Sequence, residues 1–318
     1  MPVDPLDKVR CMATRWCVRG TLGSSIAAPA LVISMPLVWR RMPFGWSMAA
    51  FGWTGMPELP EVETVVRTLA PHLIGRVITR AEFRSKFVTP GDRVALAGRL
   101  TGRRIESIER RGKFIWIRLD AGNLAVHLGM TGKLLFNAVE GPHTHGLFEF
   151  DDALLVYDDI RQFGRIEWSE GMPTRIAALG PDPLLIEAGE FVARLRARST
   201  KVKPLLLNQA FLAGLGNIYV DEALFRSSIH PNTQAAKVSR VRAGALHQAI
   251  VEILRMAIEH RGSSISDYVD ADGQRGGFQA MHQVYGREGK PCSRCGGPIR
   301  RIVVAQRGTH YCPVCQRR

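Results

Sequence analysis

Four cysteines near the end of the chain have the spacing of a metal site. Cys292 and Cys295 form one Cys-x-x-Cys pair, and after sixteen residues Cys312 and Cys315 form a second. Two such pairs supply four thiolates to a tetrahedral Zn²⁺ ion, and the chain between them forms a β-hairpin. Four protein ligands leave no position for water or substrate, so we predict one structural zinc ion. A redox-active site would need only one pair.

A second reactive group lies at Met56-Pro57-Glu58. If translation begins at Met56, removal of the methionine leaves Pro57 as an N-terminal secondary amine. Such an amine can attack a sugar carbon and form an iminium ion, and the adjacent Glu58 carboxyl group is placed for proton transfer. The same residues also fit an ordinary helix N-terminus. In the 318-residue chain the Pro57 nitrogen is a tertiary amide, which is not nucleophilic.

Three turns add candidate binding residues. Gly214-Leu215-Gly216-Asn217 predicts a tight turn before a helix, whose first N–H groups could hold a phosphate. In the loops HLGMTG and DIRQFG, which lie at strand ends, we interpret Met130 and Phe163 as apolar residues that packing within a monomer does not explain. For either one alone, burial in the core is the default explanation. Proteins that extract a base from a duplex insert apolar and cationic side chains into the gap.

Length and charge limit the class of protein. Of the 318 residues 46% are hydrophobic and 23% charged, which is typical of a globular chain and excludes a largely disordered or coiled-coil one. We expect two or three domains. The net charge is +14, and without residues 1–55 there remain 37 basic and 27 acidic residues, so the excess belongs to the main part of the chain. It predicts a polyanionic partner, nucleic acid in preference to an anionic membrane.

Residues 1–55 differ from the rest. They are rich in Ala, Pro, Met and Trp and show no sustained helical or strand period. The apolar run Thr21–Trp39 is marginal for a membrane-spanning helix because two prolines interrupt it, and no clean signal-peptide cleavage site is present. We expect this extension to be a mis-assigned start or a disordered segment.

From Met56 onward the pattern changes from helix to strands and back to helices. Leu59, Val62, Val65, Val66 and Leu69 recur at helical spacing and predict an N-terminal helix. Short β-rich runs then predict a sandwich or barrel. These runs are Val77–Phe83, Arg103–Ile108, Lys113–Arg118, Asn123–Leu128, Lys133–Phe136, Leu147–Phe150, Leu154–Tyr157 and Arg165–Trp168. The helices predicted beyond them are Glu190–Arg198, Pro204–Asn208, Ile218–Arg226 and Ser239–His260.

Together these motifs resemble the formamidopyrimidine-DNA glycosylase family of bacterial DNA repair enzymes. From Met56 to Arg318 the chain carries, in order, MPELPEVET, RRGKF, HLGMTG, DIRQFG, LGPDPL, GLGNIY, QVYGR and the two cysteine pairs with AQRGTHYC. The resemblance implies an α+β multidomain fold. An N-terminal helix and β-sandwich would occupy residues 56–187, a helix-two-turns-helix domain residues 188–285, and a four-cysteine zinc-ribbon hairpin residues 286–318.

The resemblance also implies a reaction, that of a bifunctional DNA glycosylase and AP lyase of base excision repair acting on oxidised purines. Pro57 would attack C1′ and form a Schiff base, and Glu58 would protonate the sugar oxygen. Lys113 would assist β-elimination, and Arg307, at the hairpin tip, would assist δ-elimination. The residues implied in DNA contact are His127, Met130, His143, Arg161, Phe163, Arg198 and Asn217. Among them, Met130, Arg161 and Phe163 would fill the gap left by the everted base.

Two details extend this interpretation. The loop Ser263–Gly277 would close over the flipped base, and Gln162 stands where the family often has an arginine, which puts one phosphate contact in doubt. The partner would be double-stranded DNA with oxidised purines or abasic sites. The protein would be a monomer of the bacterial cytoplasm without a membrane partner.

Two alternatives stay open. Endonuclease VIII-like enzymes share the proline nucleophile and the zinc hairpin but act on oxidised pyrimidines, and they typically begin PEGPE rather than the PELPE found here. A chain whose N-terminus stays blocked would instead be a non-catalytic DNA-binding zinc protein.

Overall fold

The computed structural model describes residues 56–317, so the predictions for residues 1–55 lie outside the described residues. Its helices are α1 (Leu59–Leu73), α2 (Arg93–Leu100), α3 (Thr174–Ala177), α4 (Ala188–Arg196), α5 (Val202–Leu207), α6 (Asn217–Arg226) and α7 (Arg240–Glu259). Its strands are β1 (Arg80–Phe83), β2 (Ile105–Arg111), β3 (Phe114–Leu119), β4 (Asn123–His127), β5 (Gly132–Phe136), β6 (Thr144–Phe150), β7 (Ala153–Asp159), β8 (Arg165–Ser169), β9 (Arg300–Val304) and β10 (Arg307–Tyr311).

The first eight strands form the predicted sandwich. One antiparallel sheet has the order β1-β6-β7-β5 and the other β2-β3-β4-β8. Their inner residues, such as Ile115, Val126 and Tyr157, share one core with the buried face of α1. Alternation of buried and exposed residues along the strands produces this two-layer arrangement because successive side chains point to opposite faces of a sheet.

Helix α1 links the sandwich to the helical part of the chain. The predicted stripe is confirmed, since Val62, Val65, Val66 and Leu69 are buried in the sandwich core. Leu59, at the start of the helix, is buried instead in the core formed by α4 to α7. The first turn of α1 therefore lies where the two cores meet.

The cysteine-bearing segment forms a small hairpin with its own hydrophobic cluster. Strands β9 and β10 form an antiparallel hairpin whose two turn residues, Ala305 and Gln306, both have positive φ angles of 48° and 61°. This is the backbone that a two-residue hairpin turn requires. Phe225 of α6 and Val284 pack against Cys292, Ile299 and Cys312, which joins the hairpin to the helices.

Sequence patterns missed two helices of the sandwich region, α2 and α3. Helix α2 begins after Asp92, whose carboxylate accepts hydrogen bonds from Val94 N and Ala95 N at 3.0 Å. Aspartate is a preferred N-cap residue, so this signal of a helix start is present in the sequence. Only Leu96 and Leu100 of this helix are buried, so its hydrophobic period is too short to detect. The predicted domain boundaries after residues 187 and 285 stay predictions. Within residues 56–317 no helix combines the length and the apolar character needed to cross a bilayer.

Candidate active site

Five of the predicted site residues meet at one cavity. Glu58, Lys113, His127, Asn217 and Arg307 all line a cavity of about 260 Å³. They come from the start of α1, the turn before β3, the end of β4, the start of α6 and the start of β10. The β-sandwich, the helices and the hairpin each contribute, so the cavity exists only when all three parts are folded.

The carboxylate of Glu58 lies at the N-terminus of α6. Its two oxygens accept hydrogen bonds from Ile218 N at 2.9 Å and Tyr219 N at 3.4 Å. The prediction that these N–H groups hold a phosphate is therefore wrong, because they donate to a carboxylate of the chain itself. Burial raises the pKa of Glu58 to about 7, although the positive charge of Lys113 acts in the opposite direction. The group can thus hold or release a proton near neutral pH.

Two glycines permit this approach of α1 to α6. A Cβ atom on Gly216 would lie 2.6 Å from Cγ of Glu58 and closer still to its carboxyl carbon. Gly214 has a φ of +97°, and a Cβ there would lie 2.8 Å from Cδ1 of Leu59. The backbone of Leu59 also donates to Gly214 O at 3.0 Å. The glycines predicted as a tight turn therefore serve close packing against the first turn of α1.

Two cationic side chains, Lys113 and Arg307, line the same cavity as Glu58. Burial lowers the pKa of Lys113, while the carboxylates of Glu58 and Glu61 act in the opposite direction. Burial likewise lowers the pKa of Arg307, whose charge is favoured by Glu58. Burial and the nearby charge of Lys113 lower the pKa of His127 to about 4, so this imidazole is neutral at pH 7. Its Nδ1 accepts a hydrogen bond from Gly129 N at 3.1 Å.

A buried ion pair anchors the hairpin tip that carries Arg307. Lys203 has 0% of its surface exposed, and its Nζ lies 2.6 Å from Asp221 Oδ1 and 3.3 Å from the carbonyl of Gly308. Asn217 Nδ2 donates to the same carbonyl at 2.9 Å. The residue after Arg307 is therefore fixed by α5 and α6, which directs the arginine into the cavity. Asn217 contacts the hairpin as well as lining the cavity.

Glu61 is a site residue that the sequence interpretation missed. Its buried carboxylate accepts hydrogen bonds from Glu58 N at 2.9 Å, Tyr219 Oη at 2.5 Å and Ser263 N at 2.7 Å. Burial raises its pKa. A glutamate three residues after a helix N-cap is the signal of a capping box, which could have identified the first of these contacts.

Pro57 lies beside this carboxylate. The proline is buried, and it lines a small cavity together with Glu61, Ser263 and Tyr268. Tyr268 Oη donates to the carbonyl of Glu61 at 3.2 Å, so the beginning of the predicted closing loop, Ser263–Gly277, is held against the N-terminal residues of α1. Pro57 and Glu58 thus lie at two adjoining cavities.

The predicted wedge residues lie on two neighbouring loops. Arg161 N donates to Thr131 Oγ1 at 3.1 Å, and the Arg161 guanidinium lies 4.6 Å from the centre of the Phe163 ring. Phe163 is 53% exposed, as interpreted from sequence. Met130 differs, because its side chain is only 9% exposed, which agrees with the burial in the core that is the default for such a residue alone. Its position in the tight turn between β4 and β5 leads it inward.

The other two predicted DNA contacts lie elsewhere on the surface. His143 is exposed just before β6, and its carbonyl accepts from Asp159 N at 3.0 Å. Arg198 is exposed just after α4. Neither residue lines the cavity.

The four cysteine thiolates fit one zinc ion. Their sulfur atoms all lie within 4.8 Å of one another, with 3.9 Å between Cys292 and Cys315 and 3.4 Å between Cys295 and Cys312. Zn–S bonds of about 2.3 Å in a tetrahedron require sulfur atoms about 3.8 Å apart. The predicted structural zinc ion is confirmed by this geometry and by the match of a zinc-finger family described below.

Three family models match most of the described residues. The family model described as "Formamidopyrimidine-DNA glycosylase N-terminal domain" matches residues 56–166, and the corresponding H2TH domain matches residues 179–269. A "Zinc finger found in FPG and IleRS" matches residues 289–318. The formamidopyrimidine-DNA glycosylase of Solibacter usitatus is 54% identical over 265 residues, which cover 83% of this chain and 100% of the relative. The chain belongs to the formamidopyrimidine-DNA glycosylase family.

Other members of the family agree in sequence and in structure. The Desulforamulus reducens enzyme is 42% identical over 278 residues, covering 82% of this chain and 99% of the relative. The crystal structure of MutM (Fpg) from Thermus thermophilus matches with a TM-score of 0.75 at 40% identity, covering 82% of this chain and 98% of that one. A complex of Lactococcus lactis Fpg with abasic-site DNA matches with a TM-score of 0.75 at 39% identity, covering 82% and 100%.

Proposed function

We propose that this chain is a DNA glycosylase of base excision repair that removes oxidised purines and then cleaves the DNA strand as an AP lyase. The observation that carries the proposal is the position of Glu58. A carboxyl group with a pKa raised to about 7 lies next to Pro57 and shares a cavity with Lys113 and Arg307. Family membership and the Lactococcus lactis complexes with lesion-containing DNA support the same substrate class.

Pro57 is the proposed nucleophile. Its nitrogen, once free as an N-terminal amine, attacks C1′ of the damaged nucleotide, and the C1′–N bond to the base breaks. The amine proton leaves with the departing base, and the nitrogen becomes an iminium as the C1′–O4′ bond opens. Burial of Pro57 beside Glu61 and Tyr268 holds the attacking atom in one position.

Glu58 is the proposed proton donor to O4′. At neutral pH a carboxyl group of pKa about 7 is partly protonated, unlike an exposed glutamate. The two N–H groups of α6 stabilise the carboxylate that remains after the proton has been transferred. Glu58 is therefore suited both to donate the proton and to remain as a carboxylate after the transfer.

Lys113 and Arg307 are proposed to hold the phosphates on either side of the lesion. Loss of a C2′ proton from the iminium expels the 3′ phosphate, and a second elimination expels the 5′ phosphate. Two cations in a partly enclosed cavity stabilise these leaving groups more than they would in water. Arg161, Phe163 and Met130 are proposed to fill the gap in the duplex, and His127, His143, Arg198 and Asn217 to contact DNA.

Borohydride trapping tests the nucleophile. The polypeptide beginning at Pro57 should form a covalent adduct with a duplex containing 8-oxoguanine opposite cytosine, because hydride reduces the iminium. The Pro57→Gly variant and the 318-residue chain with an intact N-terminus should lose or strongly reduce trapping. Equal trapping by the 318-residue chain, without cleavage before Pro57, would assign the covalent bond to another amine.

Substrate choice tests the lesion class. Excision from 8-oxoguanine duplexes in preference to thymine-glycol duplexes is expected, whereas the reverse would favour the endonuclease VIII-like alternative. We also propose that the protein acts as a monomer in the bacterial cytoplasm, where reducing conditions keep four thiolates available for zinc.

A further inference from the structure

A second loop lies beside the proposed wedge and resembles it in composition. Lys86 and Phe87 lie in the loop between β1 and α2. Phe87 is 57% exposed, and Lys86 Nζ lies 5.4 Å from the centre of its ring. The wedge has the same combination in Arg161 and Phe163. The surface thus presents two exposed pairs of an aromatic ring and a cation.

Hydrogen bonds fix this loop to the wedge loop. Buried Ser85 donates through Oγ to Gln162 Oε1 at 2.5 Å and accepts from the N–H groups of Phe87 at 3.1 Å and Val88 at 3.2 Å. Ile166 N, in the strand that follows the wedge loop, donates to Val88 O at 2.9 Å. The two loops therefore form one continuous surface.

Charge favours a DNA occupant for this surface. The neighbouring Arg84 is neutralised by Glu82 and Glu140. By contrast, among residues 56–317 no carboxylate pairs with the exposed Lys86. Exposed aromatic rings and unpaired lysines are the side chains that contact sugars, bases and phosphates. An exposed phenylalanine in a turn that hydrogen bonds hold in place gains little for the folded monomer.

We infer that Lys86 and Phe87 form a second DNA contact, on the duplex backbone beside the everted nucleotide, with Lys86 on a phosphate and Phe87 against the adjoining sugar and base. This inference rests on the proposed function, because the wedge must enter the duplex for the neighbouring loop to reach it. Ser85 and Gln162 act as positioning residues that hold the two contacts at a fixed separation.

Binding of the full 318-residue chain to a duplex with a tetrahydrofuran abasic analogue provides the test, since it needs no free N-terminus. Phe87→Ala should weaken binding about tenfold, the loss of one stacked contact, without changing its salt dependence. Lys86→Gln should make the slope of log K against log salt less negative by about 0.9, the value of one phosphate. Lys86→Arg, which keeps the charge, and Leu185→Ala, an 80% exposed apolar residue elsewhere, are the controls and should match wild type.

Phosphate mapping makes the test specific. One uncharged methylphosphonate near the lesion should weaken binding of wild type but not of Lys86→Gln. If wild type prefers the abasic-analogue duplex over intact DNA while Phe87→Ala and Lys86→Gln bind like wild type, the second contact is refuted and the proposed function stands. If wild type shows no such preference, the proposed function itself fails.

Discussion

The close approach of α6 to Glu58 predicts the effect of a single methyl group. In Gly216→Ala the new Cβ would lie 2.6 Å from Cγ of Glu58, whereas carbon atoms in contact are about 3.5–4.0 Å apart. A shift of about 1 Å in Glu58 or in the N-terminus of α6 is therefore required. It would break the hydrogen bonds from Ile218 and Tyr219 to the carboxylate.

Two magnitudes follow for Gly216→Ala. Overpacking of this kind costs about 1–3 kcal/mol of stability, which a folded domain tolerates. A displacement of about 1 Å at a catalytic group costs about 100-fold in rate. We therefore expect the variant to remain folded at 25 °C while its single-turnover excision of 8-oxoguanine falls about 100-fold. Urea unfolding and quenched-flow assays of the chain beginning at Pro57 measure the two quantities.

A matched glycine provides the control. Gly244, inside α7, has no atom within 4 Å of a built Cβ, so Gly244→Ala should stabilise the protein by about 0.5–1 kcal/mol and leave excision unchanged. Wild-type excision by a folded Gly216→Ala variant would show that the reaction does not depend on the position of Glu58 against α6.

Three further predictions concern charge and metal. The pKa of Glu58 is about 7 in the folded protein, whereas 4.5 is its ordinary value. As the pH rises from about 4.5 to 7, wild type should therefore lose about 3 kcal/mol of folding stability relative to Glu58→Gln, and nothing more above pH 7. Urea unfolding of both proteins at pH 5, 7 and 8 measures this loss, and parallel stability curves would contradict the raised pKa. Asp221→Asn leaves the Lys203 ammonium buried without its partner and should lower the free energy of unfolding by about 3–5 kcal/mol. The double variant Lys203→Met, Asp221→Leu should recover most of this stability in urea unfolding. An equal loss in the double variant would refute an origin in uncompensated charge. Cys295→Ala should release zinc and weaken duplex binding at least about tenfold, while the circular dichroism of the sandwich is retained. Tight duplex binding by the zinc-free protein would refute the structural role of the metal.

Local spacing was enough to predict the zinc ligands and the N-terminal helix. The cysteine pairs and the stripe from Leu59 to Leu69 each depend on residues close together in sequence. The convergence of Glu58, Lys113 and Arg307 could be expected only from the resemblance to a family, because they lie in three separate elements. The periodicity of hydrophobic residues along a chain carries no information on contacts between distant segments.

Burial was the property that sequence predicted least well. Met130 and Phe163 both lie in loops between strands, yet the first side chain is packed and the second is exposed. This difference arises from tertiary contacts of the surrounding strands. Lys203 is a residue type found mainly at surfaces, but an aspartate in α6 permits its complete burial. The N–H groups of α6 looked available for a phosphate because their partner, Glu58, is 160 residues distant.

Two of the three hydrogen bonds to Glu61 determine when the arrangement around Pro57 can form during synthesis. Tyr219 and Ser263 lie 158 and 202 residues beyond Glu61, and contacts over such distances form late because closing long loops costs entropy. A nascent polypeptide carries Pro57 long before the ribosome has added the partners that hold the neighbouring Glu61 in place. Incomplete molecules therefore lack the arrangement on which the proposed strand cleavage depends, and this arrangement is complete only at the end of folding.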